Sequence, residues 1–217
     1  MIKIFRISAV LCGTAFLAVA VEPSAPFFEN DQVKVFRALE KAHVKGKFHD
    51  HKPNRVMIYL QPGQQRFEYQ DGRKPAVFEW KAGQVVWSPA EGMHSPEVTG
   101  DDAFNIIEVE LKKPGSGKAL QGKAYLPKNA KVEIENEQVR VVRVKLASHK
   151  AARVPAHADN RVKIFLTEQD IRVTDATGQA NTVHRKAGEA VWEAPATYTE
   201  ENLGDKPLEM IVVELKS

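Results

Sequence analysis

His49-Asp50-His51-Lys52-Pro53-Asn54-Arg55, continued by the apolar run Val56-Met57-Ile58-Tyr59-Leu60, is the stretch that decides how this chain folds. Side chains alternate across a β-strand, so two histidines at i and i+2 share one face and can reach one cation or one ligand. A second copy lies downstream as Pro155-Ala156-His157-Ala158-Asp159-Asn160-Arg161, continued by Val162-Lys163-Ile164-Phe165-Leu166. The copies agree in the apolar run and differ at the first histidine.

Working outward, Glu29-Asn30-Asp31-Gln32-Val33-Lys34-Val35 aligns with Glu135-Asn136-Glu137-Gln138-Val139-Arg140-Val141 at an offset of 106, without a gap to Leu60 and Leu166. Of those 32 pairs 13 are identical, among them Arg37/Arg143, His43/His149, His51/His157, Asn54/Asn160 and Arg55/Arg161. Lys81–Trp87 then matches Lys186–Trp192, and Ile107–Lys112 matches Ile211–Lys216. A period of this length is a duplicated domain and excludes a short-repeat solenoid.

Within each copy the runs are short and β-like: Val33–Arg37, Val56–Leu60, Arg66–Tyr69 before the Asp71-Gly72 turn, Val77–Trp80, Val85–Trp87 and Asn105–Leu111. No stretch has the pattern of an ordinary helix. The expected fold is all-β: tandem jelly-roll (double-stranded β-helix) barrels produced by internal duplication. The expected division is a signal peptide over 1–20, a first barrel with an N-terminal arm over 21–112, a linker over 113–132 and a second barrel over 133–217. The linker contains Lys113-Pro114-Gly115-Ser116-Gly117-Lys118.

Lys3 and Arg6, the apolar run from Ile7 to Ala18 and the small-x-small site Ala18-Val19-Ala20 form a secretory leader. The protein is therefore expected in the periplasm or outside the cell, with no membrane attachment after cleavage. Cys12 is the only cysteine, so the exported chain has no disulfide and its fold rests on core burial. Without Lys3 and Arg6, 29 basic residues face 28 acidic ones, with no basic stripe, which argues against nucleic-acid binding.

The chain resembles the two-domain cupins, or bicupins. Each barrel of that superfamily carries HxH, then a Glu and a turn Gly, and later a Gly, Pro-x-Gly and a third His. Here His49 and His51 match the HxH, Gly63 the turn, and Gly83, Pro89 and His94 the second motif, with Glu91 at the place of its middle Gly. No acid follows His51 at the family's distance; Arg55 and Val56 stand there. In the second copy the first His aligns with Pro155 and the third with Tyr198 or Thr199, leaving only His157. The resemblance implies a metal in the first barrel alone, and dioxygenase- or isomerase-like chemistry if that barrel is catalytic.

Three neutral imidazoles suit divalent Fe, Mn, Ni, Cu or Zn and leave coordination positions open. Two readings of His49, His51 and His94 stand side by side: a metal site, or mouth residues that hold no metal. By strand parity from His51, Arg55 faces the barrel interior, as an ion-paired structural cation or as a clamp for an anionic small-molecule ligand. His43 and His149 sit in polar turns, Trp87 and Trp192 read as packing, and a homodimer is a further expectation.

Overall fold

A computed structural model describes residues 26–118, 120, 130–154 and 159–216. The leader and His157 lie outside these. The first half forms β1 (Phe28–Glu29), β2 (Val33–Glu40), β3 (His49–His51), β4 (Arg55–Tyr59), β5 (Gly63–Tyr69), β6 (Ala76–Trp80), β7 (Gln84–Ser88), β8 (Glu91–Val98) and β9 (Phe104–Leu111). The second half follows with β10 (Ala130–Glu135), β11 (Val139–Leu146), β12 (Ala151–Val154), β13 (Arg161–Phe165), β14 (Gln169–Asp175), β15 (Ala180–Arg185), β16 (Ala190–Glu193), β17 (Tyr198–Asn202) and β18 (Leu208–Leu215). No helix occurs among the described residues.

Each half folds into a five-stranded sheet facing a four-stranded one. The first half has orders β1-β2-β9-β4-β7 and β3-β8-β5-β6; the second has β10-β11-β18-β13-β16 and β12-β17-β14-β15. All of these strand pairs are antiparallel. The two run in parallel down to register. β4 lies between β9 and β7 as β13 lies between β18 and β16. The fold is therefore the all-β tandem jelly roll read from the repeat.

Strand parity divides the apolar residues between two kinds of core. Val56 and Ile58 of β4, with Val33, Val35, Ile107, Val109 and Leu111, point away from their own barrel and meet Val139, Val141, Val162, Ile164, Ile211, Val213 and Leu215 of the other half. Met57 and Tyr59, one residue out of phase, turn into the first barrel with Val98, Phe104 and Ile106. The five-stranded sheets thus cover one another within the chain, and Trp87 and Trp192 pack at the edge of that shared core.

Polar contacts around this interface come in equivalent pairs. Arg37 Nη2 donates to the Gly188 carbonyl at 2.9 Å, and Arg143 Nη2 to the Gly83 carbonyl at 2.5 Å. Asn54 Nδ2 donates to Gln138 Oε1 at 2.5 Å, and Asn160 Nδ2 to Gln32 Oε1 at 2.7 Å. Gly188 has φ +76°, and a Cβ there would lie 2.5 Å from Arg37 Nη2 and 2.8 Å from Leu60 Cδ1. Left-handed backbone and close approach both require glycine. Gly188→Ala is expected to lower unfolding stability by about 1–3 kcal/mol, read from denaturant midpoints.

Candidate metal centre

The first barrel encloses a cavity of about 340 Å3. At one end β3 pairs with β8, His49 opposite His94, with a register shift before His51 pairs with Glu91. That irregularity sets the rings of His49, His51 and His94 around one point: centroids are 4.8 Å apart for His49–His51, 4.7 Å for His49–His94 and 5.2 Å for His51–His94. One nitrogen of each lies within 4.8 Å of the others. A ligand set converging to roughly 3–4 Å, as bonds of about 2.0–2.1 Å require, would be tighter, so the rings must draw inward to close on an ion.

The histidines are held in a state suited to a metal. His49 Nδ1 lies 2.8 Å from the Lys47 carbonyl and His94 Nδ1 3.1 Å from the Gly92 carbonyl. A carbonyl only accepts, so Nδ1 carries the proton in both rings and the lone pair sits on Nε2. Burial, then the neighbouring Arg55 guanidinium, pull the pKa of His51 down to about 3, which keeps its ring neutral.

Arg55 is the second feature. It is 4% exposed and projects into the barrel. Its Nη1 lies 2.8 Å from Glu108 Oε2 and 2.7 and 2.8 Å from the two ring nitrogens of His51, and Nη2 donates to Ser88 Oγ at 2.9 Å. The ion-paired reading of Arg55 is thus present in the structure. Its Nε is buried with no hydrogen-bond partner among the described residues.

Glu108 and Glu40, not singled out in the sequence, also line the cavity. Burial pushes the Glu108 carboxyl up, against the pull of Arg55. Burial likewise raises the Glu40 pKa to about 7, from an ordinary 4.5, although Gln65 donates to it. Folded Glu40 therefore keeps a proton that the unfolded chain gives up near pH 4.5. Stability should fall as pH rises from about 4.5 to about 7. Glu40→Gln is expected to flatten that fall in unfolding free energy, measured across the same window.

An aromatic wall completes the cavity. Tyr59 stacks on Trp80 at 4.3 Å and Trp80 on Phe78 at 5.4 Å. Gln65 Oε1 accepts from Trp80 Nε1 at 2.8 Å and from Tyr59 Oη at 3.2 Å, fixing both. Arg73 lies over Tyr69, 3.9 Å from the ring centroid, and also lines the cavity.

The second barrel has different contents. Tyr198 pairs with Asp175 as His94 pairs with Tyr69, so Tyr198, not Thr199, takes the place of the third histidine. Val154 stands opposite it in the ladder where His49 stands opposite His94. The Met57 position is Lys163, which reaches Glu200, lies 3.3 Å from Glu193 Oε1, and donates to Tyr198 Oη at 3.1 Å. Arg161 closes on Glu193 at 2.5 Å. Burial would raise the Glu193 pKa, but Lys163 and Arg161 outweigh it and hold the carboxylate low. Among the described residues no group of metal-ligating side chains forms in this barrel.

No family model matches the chain. No curated protein matches it either. Solved structures do. The crystal structure of AerE from Microcystis aeruginosa matches with TM-score 0.61 and 10% identity, over 89% of this chain and 97% of that one. A cupin 2 conserved barrel domain protein from Leptotrichia buccalis gives 0.55 and 11%, over 93% and 92%. The fold is that of a bicupin. Oxalate decarboxylase from Bacillus subtilis, described with Mn(II) centres, gives 0.55 and 12%, over 86% of this chain and 69% of that one. At such identities the likeness extends to the fold; the chemistry must come from the residues of the site.

Outside the barrels' interiors, His43 and His149 take positive φ (56° and 53°) and lie 3.0 and 2.9 Å from Asp101 and Asp205. They are exposed turn residues, repeated with the fold.

Proposed function

We propose that this protein is an exported bicupin whose first barrel holds one divalent first-row metal, Fe, Mn, Ni, Cu or Zn, on His49, His51 and His94. A small organic anion binds beside the ion, and the second barrel serves as scaffold. One observation carries the reading: three imidazoles, two with the proton fixed on Nδ1, converge at the end of a cavity of about 340 Å3. The leader-like residues 1–20 support export.

A bound metal would supply Lewis acidity and open positions for water or ligand. The protein's own groups do the rest. The His49 and His94 rings are oriented by backbone carbonyls. The stacked Tyr59, Trp80 and Phe78 give the ligand a flat apolar wall. Arg55 brings a fixed cation with one unsatisfied N–H, and a ligand carboxylate would satisfy it. A dioxygenase- or isomerase-like reaction is the activity proposed for this arrangement. Metal analysis of the purified full chain, followed by titration of the chelated protein with Mn(II), Fe(II) and Zn(II), tests it. One equivalent bound by the natural chain and none by His49→Ala is the expected result.

One observation favours a second reading. Arg55 Nη1 already sits against the His51 nitrogens, and a guanidinium repels a dication. On that reading the barrel binds a small anion without metal. Ligand affinity would then be the same before and after chelation.

A further inference from the structure

We infer that Glu108 is a fourth ligand of the first barrel's metal, and that Arg55 holds its place beside His51 until the ion arrives; this rests on the metal reading above. No acid follows His51 where the first motif would place one. The fold supplies a carboxylate from elsewhere in the chain. β9 runs antiparallel to β4, with Glu108 opposite Met57 and Glu110 opposite Arg55. Strand parity turns Glu108 into the barrel, where it is 6% exposed. Donor atoms of His51, Glu108 and Glu110 lie within 4.8 Å of one another, the same spacing as within the histidine trio. His51 belongs to both groups.

Arg55 Nη1 bridges the two kinds of donor. It lies 2.8 Å from Glu108 Oε2 and 2.7–2.8 Å from the His51 ring nitrogens, so a single cationic nitrogen joins an imidazole and a carboxylate. His51 and Glu108 are the residues that would hold a divalent ion there, and such an ion would bring twice the charge of the guanidinium. The neutral His51 ring has one lone pair, which accepts an N–H or binds an ion, but not both. Metal and guanidinium are therefore exclusive occupants. With an ion held there, Arg55 would give up His51 and Glu108 and keep its bond to Ser88. Glu108, buried and without its counter-ion, would then take its compensating charge from the metal. In the second barrel Val212 stands opposite Lys163, where Glu108 stands opposite Met57, and that barrel forms no histidine trio among its described residues.

The test is calorimetric titration of the chelated full chain with Mn(II) and with Zn(II), each variant first checked for an unchanged fold by circular dichroism. Glu108→Gln, which preserves shape, should weaken metal affinity by about 10–100-fold. Arg55→Met should tighten it by about 10-fold or more, since a competing cation is gone. The double variant Arg55→Met/Glu108→Gln distinguishes ligation from an indirect effect, because no guanidinium remains to be orphaned. It should bind at least about 10-fold more weakly than Arg55→Met alone. If Arg55→Met and the double variant bind equally, Glu108 only anchors Arg55 and the assignment is overturned. If neither the natural chain nor Arg55→Met binds metal, the metal reading itself fails, which is a separate outcome.

Discussion

His94→Tyr is expected to abolish divalent-metal binding, while Tyr198→His is expected to create none. The two substitutions exchange residues at equivalent ladder positions, opposite Tyr69 in one barrel and Asp175 in the other. Residues that merely orient metal ligands are worth about 10–100-fold in affinity, so loss of a direct imidazole should cost at least about 100-fold. The reverse exchange fails for a different reason. A histidine at 198 would face Val154 across the ladder and would join Lys163 and Arg161, both buried, in a barrel whose carboxylates are already paired with those cations. A dication there would meet two fixed positive charges. His157, which lies outside the described residues, is expected to be silent: His157→Ala should leave metal content unchanged. Equal metal loss from His94→Tyr and His157→Ala would remove the asymmetry between the barrels.

The architecture was legible because duplication doubles the signal. Val56/Val162 and Ile58/Ile164 mark the same strand in both halves, and Leu60/Leu166 follow its end. The runs built on Val and Ile became strands, most of them extended, as Val33–Arg37 became Val33–Glu40, while Val56–Leu60 and Val162–Leu166 shifted back by one residue to Arg55–Tyr59 and Arg161–Phe165. β8 is absent from the sequence reading because Gly92, Pro96 and Glu97 are not strand-like, and pairing with β3 and β5 overrides that weak propensity. The run Val56–Leu60 reads as one buried segment, but nothing local says that its two faces go to different cores.

The same limit hid Glu108. Ile107-Glu108-Val109-Glu110-Leu111 alternates as a strand with one solvated face would. In the fold its apolar face meets the other barrel, so its polar face is turned inward to the cavity. Sequence alternation reports the two faces and cannot report that both are enclosed. The side of Arg55 was readable, by counting from His51. Its partners were not, because Glu108 and Ser88 lie on separate strands brought to β4 by the sheet. The aromatic wall likewise joins Tyr59 with Phe78 and Trp80 through tertiary packing alone.

The shared core makes a second large effect predictable. Ile58 and Ile164 are both fully buried and occupy equivalent places between the five-stranded sheets. Truncation of either to Ala should cost about 2–5 kcal/mol, a large part of a typical total of about 5–15 kcal/mol. Because each residue belongs to both barrels' packing, either substitution should lower one common transition, without splitting unfolding into two. Met57→Ala, whose side chain faces the first barrel's interior, offers a comparison: it removes similar volume from a core bordering a cavity, where collapse is easier, and should cost less. Expressing residues 26–118 alone pushes the point further. Val33, Val35, Val56, Ile58, Ile107 and Val109 would then lose their cover, forming an apolar face that a monomer does not tolerate in water. The pairs Arg37–Gly188 and Arg143–Gly83 show that this face meets a near-copy of itself, so two such fragments have a ready two-fold arrangement. The fragment should dimerise or aggregate in analytical ultracentrifugation. A stable, folded, monomeric half, or two separate melting transitions in the full chain, would show that the barrels do not depend on their common core.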